Sequence, residues 1–232
     1  IIIRNYLKHY ALSILCVLFL TIILSINIKG DKETIYSPYQ NISIQHIASP
    51  INPIIIQNGH LFYQTILNLS DDLLFTRENE VLDVRIMGPR VNKTHEKEFY
   101  NLPYSIVKKK PNSILIVGSG AGNDVASANR YSIKKITAVE IDPVIAELGN
   151  KYHPELPYNN KNVTTVIDDA RNYISKTNQS FDSIVYALLD SQTNLSSKGG
   201  IRLDSYVYTV EAFKEAKQKL NNNGYIFLSF FA

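Results

Sequence analysis

ILIVGSGAGNDVASA, residues 114–128, sets a run of apolar residues directly before Gly118, Gly120 and Gly122, and then changes to a helical pattern. A strand, a glycine turn and a helix in that order bring bare backbone N–H groups close to a ligand at the start of the helix. The spacing is G-x-G-x-G, with Asn123 where a dinucleotide fingerprint carries its third glycine. A dinucleotide, a nucleoside sulfonium and no ligand at all are the readings to weigh.

Downstream, strands and helices alternate. The pattern predicts strands at 113–117, 136–140, 163–167, 183–188 and 224–230, and helices at 123–131, 143–152, 169–176 and 209–221. Thr209 can cap the last helix, Glu211 sits in its first turn, and NNNG at 221–224 reads as its end. A further helix is expected around 94–109. Such alternation means a doubly wound parallel α/β sheet. Upstream, residues 33–69 are short and extended, punctuated by Pro38, Pro50, Pro53 and Asn58-Gly59. Asn-Gly between two apolar runs signals a hairpin, so a small antiparallel β unit precedes the α/β domain.

The chain has 232 residues, 45% hydrophobic and 19% charged, enough apolar material for a core. A net charge of +3 with scattered lysines gives no reason to expect nucleic acid, and Lys108-Lys109-Lys110 reads as a solvated loop before a strand. A single cysteine, Cys16, allows no disulfide framework. His9, His46, His60, His95 and His153 lack metal-ligand spacing, so no metal is expected. Ser119 is not in a G-x-S-x-G elbow, which removes a hydrolase triad.

Carboxylates fall in order after consecutive strands. Glu140 lies 22 positions after Gly118, Asp168-Asp169 ends the third strand and Asp190 follows the fourth. A carboxylate at the first of these places accepts hydrogen bonds from ribose hydroxyls, and ligands of such sheets lie at the C-terminal strand ends. A cationic sulfonium is stabilised by nearby acids whereas a pyrophosphate is not, so an adenosyl sulfonium is favoured over NAD.

Residues 11–28, ALSILCVLFLTIILSINI, carry no charge. At about 1.5 Å per residue they span ~27 Å, close to the ~30 Å of a hydrocarbon core. They are expected to be a transmembrane segment, with the bilayer as a partner. The chain begins Ile-Ile-Ile rather than Met, so residues are expected to be missing before it, and a sheet of this type usually continues past Ala232.

VGSGAGNDVA, AVEIDP, DDARNYI and FDSIVYALLDS resemble the successive motifs of the spermidine synthase family, the aminopropyltransferase branch of the adenosylmethionine-dependent methyltransferase superfamily. YSPYQNI, residues 36–42, resembles the Ser-x-Tyr-Gln motif of that family's N-terminal β unit. With the apolar run, the chain looks most like membrane-attached spermidine-synthase-like proteins. The resemblance implies a Rossmann-like fold, and together with the apolar run it divides the chain into 1–30, a membrane segment, 31–75, the β-hairpin unit, and 76–232, an incomplete adenosyl-sulfonium-binding domain. It implies that Gly118, Gly120 and Gly122 line the cosubstrate, Glu140 holds its ribose, Asp169 faces the adenine, and Gln40 reaches it from the β unit. Asp190 would orient the attacking amine and accept its proton. The family's loop aspartate is replaced here by Ala121, with Asp124 nearby as a further cosubstrate-binding candidate, and an acid that usually ends the fourth strand is Ala187.

The expected function is therefore a transferase moving an aminopropyl group from decarboxylated adenosylmethionine to an amine. The alternatives are an adenosylmethionine-dependent methyltransferase and a non-catalytic nucleoside-binding membrane sensor. Because adenosyl cosubstrates are cytosolic, the expected location is the plasma membrane, with the domain facing the cytoplasm. A homodimer is among the assemblies this leaves open.

Overall fold

The computed structural model describes residues 14, 32–46, 54–59, 61–71, 92–189 and 206–229. Four strands, β1 (Lys32–Tyr36), β2 (Asn41–His46), β3 (Ile54–Asn58) and β4 (Leu61–Ile66), form an antiparallel sheet in chain order. The strands are rich in isoleucine, which favours a pleated surface. Ile42, Ile44, Ile54, Ile56 and Ile66 all point into one buried cluster. The hairpin predicted at Asn58-Gly59 is present, but its last pair is Asn58↔Leu61. Gly59 therefore leads the turn, at φ 62°.

The second sheet holds β5 (Ser113–Val117), β6 (Lys135–Glu140), β7 (Val163–Ile167), β8 (Phe181–Tyr186) and β9 (Leu220–Leu228). Its order is β7-β6-β5-β8-β9, and all its pairs are parallel. Helices α1 (Lys93–Ser105), α2 (Asn123–Arg130), α3 (Pro143–Tyr152), α4 (Ala170–Lys176) and α5 (Val210–Gln218) accompany it. Central strand β5 is covered on both faces, which is why its sequence is apolar without alternation. Ile114 and Ile116 pack with Tyr104, Val125 and Ala128 of α1 and α2. Leu115 and Val117 pack with Ile174 and Ala216 of α4 and α5.

After β7 the chain returns to the far side of β5, so the strand order reverses between β5 and β8. Such a reversal opens a crevice at the carboxyl ends of the strands, and the glycine loop lies there. The antiparallel sheet is joined to this end, because Ala121, Ile145 and Leu148 belong to the same buried cluster as its isoleucines.

Two expectations need correction. NNNG does not end the last helix: α5 stops at Gln218, and Asn221–Gly224 already belong to β9. Phe181 pairs with Leu220 but Ser183 pairs with Tyr225, so the extra asparagines bulge from the ladder, Asn223 at φ 63°. Asparagine tolerates that left-handed conformation, and Asn221 Nδ2 anchors the bulge on Asp182 Oδ1 at 2.8 Å.

The plasma-membrane location is corrected as well. No helix among the described residues is long and apolar enough to cross a membrane. The longest, α1, has 13 residues, about 20 Å at 1.5 Å per residue against a core of ~30 Å. The run 11–28, apart from Ile14, lies outside the described residues.

Candidate active site

The glycine loop leaves β5 with Gly118, Gly120 and Gly122 at φ 71°, 56° and 102°. The amides of Gly118 and Ser119 both donate to the Val139 carbonyl, at 2.9 Å each, which ties the turn to β6. A Cβ on Gly120 would lie 2.8 Å from Gln64 Oε1, so this position combines a left-handed backbone with a close neighbour.

Glu140, at the end of β6, is 5% exposed. Its Oε2 accepts the Gly120 amide at 2.8 Å and its Oε1 accepts the Asp142 amide at 3.0 Å. Burial pushes its carboxyl above the usual range, and these amides pull the other way. The Ile141 amide is a third donor to this carboxylate, and of the about four lone-pair sites of a carboxylate one is left for a hydroxyl donor.

Asp142 begins α3 as its N-cap, followed by Pro143. Its Oδ1 accepts the Val144 amide at 3.0 Å. Its Oδ2 accepts Ser37 Oγ at 2.7 Å and Gln40 Nε2 at 3.0 Å. Ser37 Oγ also accepts the amides of Tyr39 and Gln40, closing residues 37–40 into a tight turn. The Tyr63 hydroxyl is hydrogen-bonded to Gln40, and burial, then the Glu140 charge, raises it above its ordinary range.

The loop is held from two further sides. Gln64 Oε1 accepts the Ala121 amide at 3.0 Å. Tyr158 Oη donates to the Gly120 carbonyl at 2.6 Å, with Ser119 Oγ 3.0 Å away. Asn123, the residue in place of a third glycine, has a structural task. Its Oδ1 accepts the Leu67 amide and its Nδ2 donates to the Thr65 carbonyl, joining the end of β4 to α2.

Asp169 caps α4 by accepting the Asn172 amide at 2.9 Å, while both Asp168 oxygens accept Asn172 Nδ2. The Asp168 amide donates to the Glu140 carbonyl, so the two acidic strand ends are neighbours. Asp169 opens on a cleft of about 410 Å³, which Arg171, Tyr206 and Glu215 also line.

The structure thus brings Gln40, Gly120 and Glu140 into one bonded network, with Gly118 and Gly122 in the same loop and Asp169 on the adjacent strand end. Asp124 is set apart: its charge acts on the Tyr100, Tyr104 and Tyr158 hydroxyls, and close packing pushes its carboxyl up to about 7. Asp190 lies outside the described residues. Ala187 is 3% exposed. No group of three or more His, Cys, Asp or Glu able to hold a metal occurs among the described residues.

Sequence reasoning gave no role to Ser37, Tyr63, Gln64, Asp142 or Tyr158. Asp142-Pro143 carried a readable signal as a helix start. Gln64 and Tyr158 carried none, because their relation to the loop exists only across the fold.

The spermine/spermidine synthase domain family matches residues 96–229. A polyamine aminopropyltransferase of Sulfolobus acidocaldarius is 25% identical over 181 residues, 76% of this chain and 57% of that protein. One from Thermoplasma volcanium is 31% identical over 93 residues, 39% of this chain and 34% of its own length. The chain therefore spans about half the length or less of these curated relatives. Among solved structures, a spermidine synthase in complex with the transition state analogue AdoDATO matches with TM-score 0.54 at 18% identity, over 81% of this chain and 55% of that one. The Thermotoga maritima spermidine synthase matches with TM-score 0.53 at 17% identity, over 81% and 54%. At that identity the likeness is one of fold.

Proposed function

We propose that this chain, which belongs to the spermine/spermidine synthase family, serves a transferase that moves an aminopropyl group from decarboxylated adenosylmethionine to an amine. The observation that carries the reading is the placement of the Ser37–Gln40 turn. The antiparallel sheet delivers it onto Asp142, two residues from Glu140 and beside the glycine loop. A nucleoside site needs only the parallel sheet, and this added wall suits a site that must also orient a second substrate. The names of the relatives and the AdoDATO complex of the structural neighbour support the same reaction.

In this reading Glu140 accepts from the ribose, Asp169 accepts from the adenine, and Gly118, Gly120 and Gly122 admit the sulfonium close to the backbone. Gln40 closes the donor site from the sheet. The acceptor nitrogen attacks the methylene carbon beside the sulfonium. An N–C bond forms, the C–S bond breaks, and methylthioadenosine leaves as a neutral thioether. The nitrogen sheds one proton, which Asp190 receives as general base. Positioning of the two reactants supplies much of the acceleration, since the sulfonium is already an activated leaving group.

Calorimetric titration of the full chain with decarboxylated adenosylmethionine, adenosylmethionine and NAD tests the reading. Tightest binding of the decarboxylated form, and release of methylthioadenosine when an amine is added, are expected. Preference for intact adenosylmethionine would replace aminopropyl transfer by methyl transfer.

A further inference from the structure

Asp142 is 1% exposed, and its two oxygens divide their work between two parts of the molecule. Oδ1 serves the start of α3 through the Val144 amide. Oδ2 serves the Ser37–Gln40 turn through a hydroxyl and a carboxamide. The Asp142 amide donates to Glu140 Oε1, and the other Glu140 oxygen holds the Gly120 amide. A continuous chain of hydrogen bonds therefore runs from Gln40 through Asp142 and Glu140 to the glycine loop. The Gln40 carboxamide sits at its outer end, with the Tyr63 hydroxyl as its second partner.

Resting on the aminopropyltransferase reading, we propose that Asp142 is a positioning residue for donor binding. By accepting Gln40 and Ser37 together it holds the Gln40 side chain in one orientation beside Glu140, so that the carboxamide is already placed when the donor arrives. Without Asp142 Oδ2, the Gln40 and Ser37 donors would have no acceptor on α3, and Gln40 would sample several rotamers that binding must then restrict.

Asp142→Asn separates this task from the helix cap. Asparagine caps as well as aspartate, so Oδ1 can keep the Val144 amide. Its Nδ2 would then face two donors where a carboxylate oxygen had accepted both.

The test is a double-mutant cycle on the full chain, read as affinity for decarboxylated adenosylmethionine with the melting temperature followed in parallel. Asp142→Asn and Gln40→Ala are each expected to weaken binding about tenfold, as for loss of one or two buried hydrogen bonds. The double variant should be no weaker than Gln40→Ala alone, because Asp142 acts through Gln40. Ser37→Ala, which leaves the cap untouched, should cost about threefold and guards against Asp142→Asn failing to fold. A purely structural Asp142 would lower the melting temperature and give losses that add to about a hundredfold in the double variant, and that result overturns the inference. Parent-like affinity in Asp142→Asn overturns it too. If the parent chain binds neither adenosyl ligand, the function reading falls and this inference with it; parent binding with additive losses removes this inference alone.

Discussion

Two titratable side chains, His153 fully buried and Asp124 partly buried, give the folded chain opposite responses to pH. His153 is 1% exposed, and burial, with the Arg130 charge beside it, depresses it from 6.5 to about 3. Below pH 6.5 the unfolded chain takes up a proton that the folded chain refuses, so this group's contribution is lost as pH falls from 6.5 towards 3. Asp124 is raised from 3.8 to about 7. Between those values the folded chain holds the extra proton, so stability from this group falls as pH rises. His153→Gln is expected to flatten the acid limb of a stability-versus-pH profile measured by urea unfolding, and Asp124→Asn to flatten the limb from pH 4 to pH 7. At pH 8 Asp124→Asn should gain on the order of 2 kcal/mol over the parent, less than the full shift because the carboxyl is not sealed from water. An unchanged profile in either variant would show that its group titrates normally. At Gly120 the cost is conformational. Alanine there meets φ 56° and a contact 2.8 Å from Gln64 Oε1. A loss of about 1–2 kcal/mol is expected in denaturant unfolding, together with release of Gln64 from the Ala121 amide.

Among the elements, the helices were the more readable. Each of α3, α4 and α5 begins at a capping residue, Asp142, Asp169 and Thr209, that sequence inspection can find. Thr209→Ala removes the bond from the Ala212 amide to Thr209 Oγ1 and should cost about 1 kcal/mol in a urea melt. The start of β9 was misread for a physical reason. Three asparagines and a glycine look like a helix stop, and only pairing with β8 reveals that the ladder resumes beneath a bulge. Asp169 shows a different limit. The same carboxylate that the sequence marks for a ligand also caps α4, and a linear pattern cannot apportion one side chain between two tasks.

For the whole molecule, the decisive contact is the one between the two sheets. Ile44 is fully buried in a cluster shared with Ala121, Ile145 and Leu148. Ile44→Ala is expected to cost about 2–5 kcal/mol and, on the function proposed above, to weaken adenosyl-ligand binding, because the turn at Ser37 and the Gln64 contact hang from the same sheet. Thermal unfolding followed alongside ligand affinity checks this; a loss of stability with affinity unchanged would mean that the sheet does not shape the site. Glu155 offers a second link. It accepts the Leu69 amide after β4 and pairs with Arg130 of α2 at 2.6 Å, both side chains largely buried. Glu155→Ala leaves the guanidinium unpaired and should lower stability by about 3–5 kcal/mol, measured by urea unfolding.

The order of strands and helices, the glycine turn, the helix caps and the acidic strand ends were all determined within windows of ten to thirty residues. Local dihedral preference and the period of apolar residues act at that range, so the sequence alone specifies them. The network Gln40–Asp142–Glu140–Gly120 belongs to the tertiary structure. Gln40 and Asp142, the pair that joins its two halves, lie 102 positions apart. The roles of Gln64, Tyr158 and Asn123 were decided there as well. A buried donor takes whichever acceptor packing brings within about 3 Å, and that choice is made only when the isoleucine sheet closes against α3 and the glycine loop.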